Sequence, residues 1–87
     1  MARLIVNTVF RNALGAQGAA LSEGDCLELQ ANSVRNLLAM LDHTYPGSRK
    51  ALAGAAMAID GDIYHDALTE PLRADSELVF IHPIEGG

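Results

Sequence analysis

Residues 32–47, NSVRNLLAMLDHTYPG, carry the change of hydrophobic period on which the fold turns. Val34, Leu37, Leu38, Leu41 and Tyr45 recur at i, i+3, i+4, i+7 and i+11, which is one apolar stripe along a helix. Ser33 stands immediately before the stripe as an N-cap, where its hydroxyl can accept an orphan backbone N–H. Tyr45-Pro46-Gly47 ends it, because the residue before a proline avoids helical geometry and glycine tolerates the turn that follows. On both sides of this helix the dominant period is two.

Upstream, residues 3–10 (RLIVNTVF) put Leu4, Val6, Thr8 and Phe10 on one face and Arg3, Ile5, Asn7 and Val9 on the other. That predicts a strand over 3–10, with mixed faces that suit a central position. Residues 11–25 (RNALGAQGAALSEGD) read as a Gly- and Ala-rich connection with one helical turn. DCLELQ (25–30) alternates again and predicts a strand, Leu27 and Leu29 inward and Cys26, Glu28 and Gln30 outward.

Downstream, AAMAI (55–59) and IYH (63–65) flank Asp60-Gly61-Asp62, a turn signal that predicts two short strands. ALTEPLRADS (67–76) reads as a loop with one helical turn, and ELVFIH (77–82) as the last strand. The order is ββαβββ, or ββαββ if the short strand is absent. One main helix packed on one face of a mixed four- to five-stranded sheet buries this pattern economically. The expected class is α+β, and the order resembles the ubiquitin-like β-grasp arrangement.

With 87 residues the chain forms one domain, 1–87, since two separate cores do not fit in that length. The net charge of −5 disfavours nucleic acid as a partner, because phosphate binding needs a basic surface. It suits a protein with a basic docking face. Nothing approaches the roughly 20 apolar residues of a membrane helix. MARLIVNTVF lacks the cleavage site of a signal peptide, so the expectation is a cytoplasmic protein without membrane partners.

The single cysteine, Cys26, cannot hold an iron–sulfur cluster or a zinc ion by itself. His43, His65 and His82 lie on three different elements without ligand spacing, so no metal site is expected. DGDIYHDALTEP (60–71) has some look of a calcium loop, but its glycine is misplaced and Pro71 stands where the bidentate Glu belongs.

The remaining signal is the tail. After the last strand come His82, Pro83, Ile84, Glu85 and then Gly86-Gly87. Pro83 removes a hydrogen-bond donor and stops the sheet. Glycine leaves an unobstructed thread that a narrow channel can admit. Residues 83–87 therefore read as an extended, flexible C-terminal tail, with the alternative of an idle terminus.

SVRNLLAML, AIDGDIYHD, PLRADSELVFI and PIEGG together resemble, from end to end, the MoaD/ThiS family of ubiquitin-like sulfur carriers. The resemblance implies that a partner adenylating enzyme consumes ATP to activate the Gly87 carboxylate. Sulfur from a persulfide donor protein then replaces AMP, and the thiocarboxylate delivers sulfide to a sulfur-accepting synthase subunit. Gly87 would be the reacting residue, Gly86 would thread the tail, and this chain, itself no enzyme, would bind no cofactor.

By the same resemblance Leu78 and Phe80 pack under the helix. Val79 and Ile81 join Pro83, Ile84 and Glu85 in binding the partner, the alternative being a strand buried on both faces. Family members often carry two prolines and a small residue before the glycines. Glu85 departs from that and places a negative charge near the reacting carboxylate, which calls for a basic counterpart on the partner. The length suits the small subunit of a molybdopterin synthase. A ubiquitin-like modifier joined to lysines through the same terminus, and a β-grasp interaction module, remain the other readings.

Overall fold

The computed structural model describes residues 1–81. Five strands form one mixed sheet in the order β2-β1-β5-β3-β4: β1 Ala2–Ile5, β2 Cys26–Leu29, β3 Ala56–Ile59, β4 Asp62–Tyr64 and β5 Glu77–Ile81. β1 and β5 pair in parallel at the centre, and every other pairing is antiparallel. Helices α1 (Thr8–Leu14), α2 (Val34–Thr44) and α3 (Ser48–Leu52) supply the rest of the core. This is a ubiquitin-like β-grasp of the α+β class, with the upper of the two expected strand counts.

The helix that opened the sequence reading forms as its pattern requires. The Ser33 hydroxyl accepts the Asn36 N–H at 3.1 Å, and Val34, Leu37, Leu38 and Leu41 are all buried. Tyr45 terminates it, its N–H reaching Leu41 C=O at 2.6 Å. Leu4, Met57, Ile59, Leu78 and Phe80 meet this stripe from the sheet and are likewise buried. Leu27 and Leu29 share their face but are only partly buried, as expected of an edge strand.

The Asp60-Gly61 turn joins β3 to β4 with both residues at positive φ, 50° and 90°. That is the type I′ geometry whose twist matches a two-residue hairpin. Asp60 then continues the β3–β5 pairing: its N–H donates to Glu77 C=O, and its Oδ1 accepts the Glu77 N–H, both at 2.9 Å. The loop before β5 is tied to the start of α2, with Val34 N–H donating to Glu70 C=O and Leu72 N–H to Asn32 C=O.

The structure corrects three expectations. The strand predicted over 3–10 stops at Ile5, and Thr8–Leu14 is helical. Asn7 is the cause: its extended backbone (φ −135°, ψ −178°) and its Oδ1, which accepts the Phe10 N–H at 3.0 Å, make it an N-cap. Phe10 and Leu14, four apart, then bury one helical face.

The connection after it holds more than one turn, because a 3₁₀ segment follows over Gly15–Ala20. There Gly18 passes so close to the Arg11 carbonyl that a Cβ would collide with backbone. Finally, α3 was not foreseen. Its five residues, SRKAL, bury Ser48 and Leu52 beside α2.

Candidate functional site

Of the residues proposed for the site, Pro83, Ile84, Glu85, Gly86 and Gly87 lie outside the described residues, as does His82. Val79 and Ile81 are described. Both point away from the helices, since β5 alternates and buries Leu78 and Phe80 on the helical side. Each is half-buried, which falls between the two readings of this strand, a fully buried one and an exposed patch.

Register shows what surrounds them. Val79 stands opposite Ala58, and Ala58 opposite Ile63. On the other side Leu4 aligns with Leu78, so Ile5 comes level with Val79, and Ile5 stands opposite Cys26. One row of side chains, Cys26–Ile5–Val79–Ala58–Ile63, thus crosses all five strands on the sheet's helix-free face. All five are apolar or nearly so, and Ile63 at 62% exposure is one of the most exposed large hydrophobic side chains among the described residues.

The row has a polar boundary on one side and the carboxyl end of β5 on the other. Towards the amino end of β5 stand Glu28, Arg3 and Glu77, aligned in register, with the Arg3 guanidinium 3.3 Å from the Glu77 carboxylate. Towards the carboxyl end stand Ile81 and Ala56. The apolar row therefore reaches the end of β5, where Ile81 is half-buried and Ala56 is buried. Sequence reasoning missed Ile5, Ala58 and Ile63 as members of this surface. Ile5 carries a signal, since alternation sets it on the face opposite Leu4, but the register joining it to Val79 is not readable from the sequence.

A second arrangement sits at the end of β5. The Asn7 side chain, besides capping α1, donates from Nδ2 to the Phe80 carbonyl at 2.7 Å. Phe80 is fully buried and stacks on Phe10 with ring centroids 5.8 Å apart and planes 8° from parallel. The Tyr45 ring meets Phe10 edge-on at 6.4 Å. Helix α1, the end of α2 and the carboxyl end of β5 are thereby joined.

No other group in the described residues competes as a reactive site. Cys26 is a free, exposed thiol at one end of the apolar row. His43 lies in the last turn of α2, where a cation would favour the helix dipole. Among the described residues no three His, Cys, Asp or Glu side chains gather as metal ligands. None of the described helices is long and apolar enough to cross a membrane.

Among the described residues, Asp60 is the one titratable group with a clear shift. The Glu77 N–H bonded to its carboxylate holds the acid below the usual range, with smaller help from the Ser76 hydroxyl and Arg73, against some desolvation. Its partners are structural ones, at the β3–β4 turn.

Comparison with individually curated proteins finds no match. The model of one family does match, over residues 4–87, which spans the sheet, the helices and the tail together. The chain belongs to the ThiS family, whose members are small sulfur carriers that work with an activating enzyme and a sulfur acceptor.

Proposed function

We propose that this protein carries sulfur on the carboxyl group of Gly87. In the first step a carboxylate oxygen attacks the α-phosphate of ATP on a separate adenylating enzyme, forming the acyl-adenylate and releasing pyrophosphate. A persulfide sulfur of a donor protein then attacks the acyl carbon and expels AMP. Cleavage of the resulting acyl disulfide by a second thiol leaves the thiocarboxylate and a disulfide on the donor side. The carrier next hands sulfide to a synthase subunit in cofactor or metabolite biosynthesis, and the length of the chain favours molybdopterin synthase.

The observation that carries this reading is the family match reaching through Gly86-Gly87, on a fold whose last strand leads into that tail. A carboxylate is a poor electrophile, and the activating partner supplies both the leaving group and the catalysis. The carrier's task is then to be recognised and to deliver its end. The apolar row Cys26–Ile5–Val79–Ala58–Ile63, continued by Ile81, suits recognition, because it is contiguous, half-buried at its centre and exposed at both edges, and such apolar area marks a contact with another protein. Gly86 keeps the thread narrow, and Pro83, Ile84 and Glu85 offer sequence-specific contacts along it.

Intact-mass measurement tests the reading. The purified chain is incubated with ATP, an adenylating enzyme that serves ThiS-family carriers and a persulfide donor. Exchange of one oxygen for one sulfur is expected, and it disappears when Gly87 is deleted while the melting curve stays in place. An unchanged mass in the presence of an enzyme active on ATP overturns the proposal. An adduct linked to lysine replaces it with the protein-modifier reading.

A further inference from the structure

We propose that Asn7 is a positioning residue for the end of β5: its carboxamide replaces the next rung of the β1–β5 ladder, and so fixes the strand end from which the sequence continues to Gly87. The inference rests on the carrier reading only for its consequence, not for its geometry.

The geometry follows from the parallel pairing. Arg3 N–H donates to Ser76 C=O at 2.8 Å. Rungs of a parallel ladder recur every two residues, so the series that begins there calls on residue 7 to donate to residue 80. The backbone of residue 7 is no longer available, because Val6 is its last sheet-bound neighbour and α1 begins at Thr8. Val6 is bonded to the other side, its N–H to Asp25 C=O and its C=O to Gly24 N–H, each at 2.8 Å. What reaches Phe80 C=O is the Asn7 side chain, Nδ2 to oxygen 2.7 Å, across 73 residues of chain. The side-chain amide has taken the place of the backbone amide.

This placement demands both ends of one carboxamide. Oδ1 accepts the Phe10 N–H at 3.0 Å and starts α1, while Nδ2 holds β5. Aspartate and serine can cap a helix equally well but cannot donate to Phe80 in the same pose. Asparagine is required by the second contact. Phe80 is the last residue but one of β5, and its carbonyl is held one residue before Ile81, the last described residue. Without that bond the end of β5 keeps its antiparallel partner β3, through Ala56 and Ile81, and loses its partner on the β1 side.

Asn7→Asp separates the two roles, since it retains the cap acceptor and removes the donor; Asn7→Ala removes both. In the full-length chain, amide exchange at Phe80 and Ile81 is expected to accelerate about tenfold in both variants, the scale of one lost hydrogen bond. Exchange at Leu4 and Leu78, further down the ladder, should change far less. With the adenylating enzyme, Asn7→Asp should raise KM for the carrier about tenfold with a smaller effect on kcat, because a loosely rooted tail is harder to capture and no reacting group has been touched. Asn7→Gln, whose longer side chain misplaces the donor, should not rescue either readout.

Wild-type exchange at Phe80 and Ile81 in Asn7→Asp overturns the proposal. So does acceleration spread evenly over the whole sheet, which would reduce Asn7 to a general stabiliser. If exchange responds locally and KM does not, the positioning role fails while the carrier reading stands. If the wild-type chain itself is never adenylated, the carrier reading fails, and the local exchange result alone decides whether Asn7 holds the end of β5.

Discussion

Replacing Thr8 by proline tests the largest departure of the structure from the sequence pattern. Thr8 is exposed and is the first residue of α1, directly after the Asn7 cap. At that position the backbone N–H has no intrahelical partner, and proline's fixed φ is already helical. The residue before a proline must be extended, and Asn7 is, at φ −135° and ψ −178°. The substitution should gain about 0.4–1 kcal/mol by restricting the unfolded chain. Against this stands the loss of the Thr8 hydroxyl bond to the Glu23 carboxylate, which is solvent-exposed and contributes about 1 kcal/mol at most. The two offset each other, and the net change should lie within about 1 kcal/mol of zero.

A strand running from residue 3 to residue 10 makes the opposite prediction. Proline at residue 8 would then delete a ladder donor in a central strand and cost about 3 kcal/mol. Urea unfolding followed by circular dichroism separates the outcomes, because a loss of that size moves the midpoint by more than 1 M for a slope of about 1–2 kcal/mol/M. Ala13→Pro serves as the internal control. Inside α1 it removes a helical hydrogen bond and should cost about 3 kcal/mol or more. Thr8→Pro as damaging as Ala13→Pro would refute the helix and, with it, the cap formed by Asn7.

Three further outcomes are expected. Ser48 is buried and its hydroxyl finds no hydrogen-bond partner among the described residues, so Ser48→Ala should stabilise the fold by about 1 kcal/mol, read as a rise of roughly 4–8 °C in Tm; a loss of stability would reveal a partner for the hydroxyl. Ile63→Glu places a charge in the apolar row at its most exposed member and should leave Tm within about 4 °C, yet raise the activating enzyme's KM about tenfold or more, whereas Ala51→Glu on the exposed side of α3 should not; equal effects would remove the open sheet face as the docking surface. Asp60, its pKa lowered chiefly by the Glu77 N–H, contributes stability that is complete above the unfolded carboxylate's pKa and is lost as pH falls through the lower folded value. Asp60→Asn tolerates the positive φ and keeps an acceptor, so stability measured across the acid range should depend less on pH than in the wild type, and an unchanged slope would contradict the assignment.

Much of this architecture was legible because its strongest signals are local. The stripe Val34–Leu37–Leu38–Leu41 with Ser33 before it, and Asp-Gly between AMAI and DIY, each determine their element without reference to the rest of the chain. What was misread is where two periods overlap. Phe10 continues the alternation of Leu4 and Val6, and it also begins the four-residue spacing to Leu14. Alternation extends through it unless Asn7 is recognised as a cap, and the second bond that fixes the Asn7 side chain, to Phe80, lies far away in sequence. Helix α3 was hidden for a related reason. Five residues are too few to show a period, and its burial of Leu52 depends on α2 lying beside it.

The candidate site divides along the same line. Gly86-Gly87 are visible as letters, and the placing of Val79 and Ile81 on the face opposite Leu78 and Phe80 follows from alternation. The surface they belong to does not, because it is made by register: parallel alignment of Leu4 with Leu78 brings Ile5 beside Val79, and antiparallel alignment of Ala58 with Val79 and with Ile63 carries the row to the far edge. A slip of one residue in either pairing would replace these side chains by Leu4 or Met57 and move the row into the core. The Asp60 carboxylate and the Asn7 carboxamide guard against such slips at opposite ends of β5, one bonded to Glu77 N–H and the other to Phe80 C=O. Removing the Asp60 acceptor and the Asn7 donor at once, in an Asp60→Ala/Asn7→Asp double variant, should therefore loosen the two ends of β5 independently, with additive changes in unfolding free energy, since the contacts lie at different ends of the strand. Strong non-additivity would mean that β5 moves as one unit, and that the docking row and the root of the tail are controlled together.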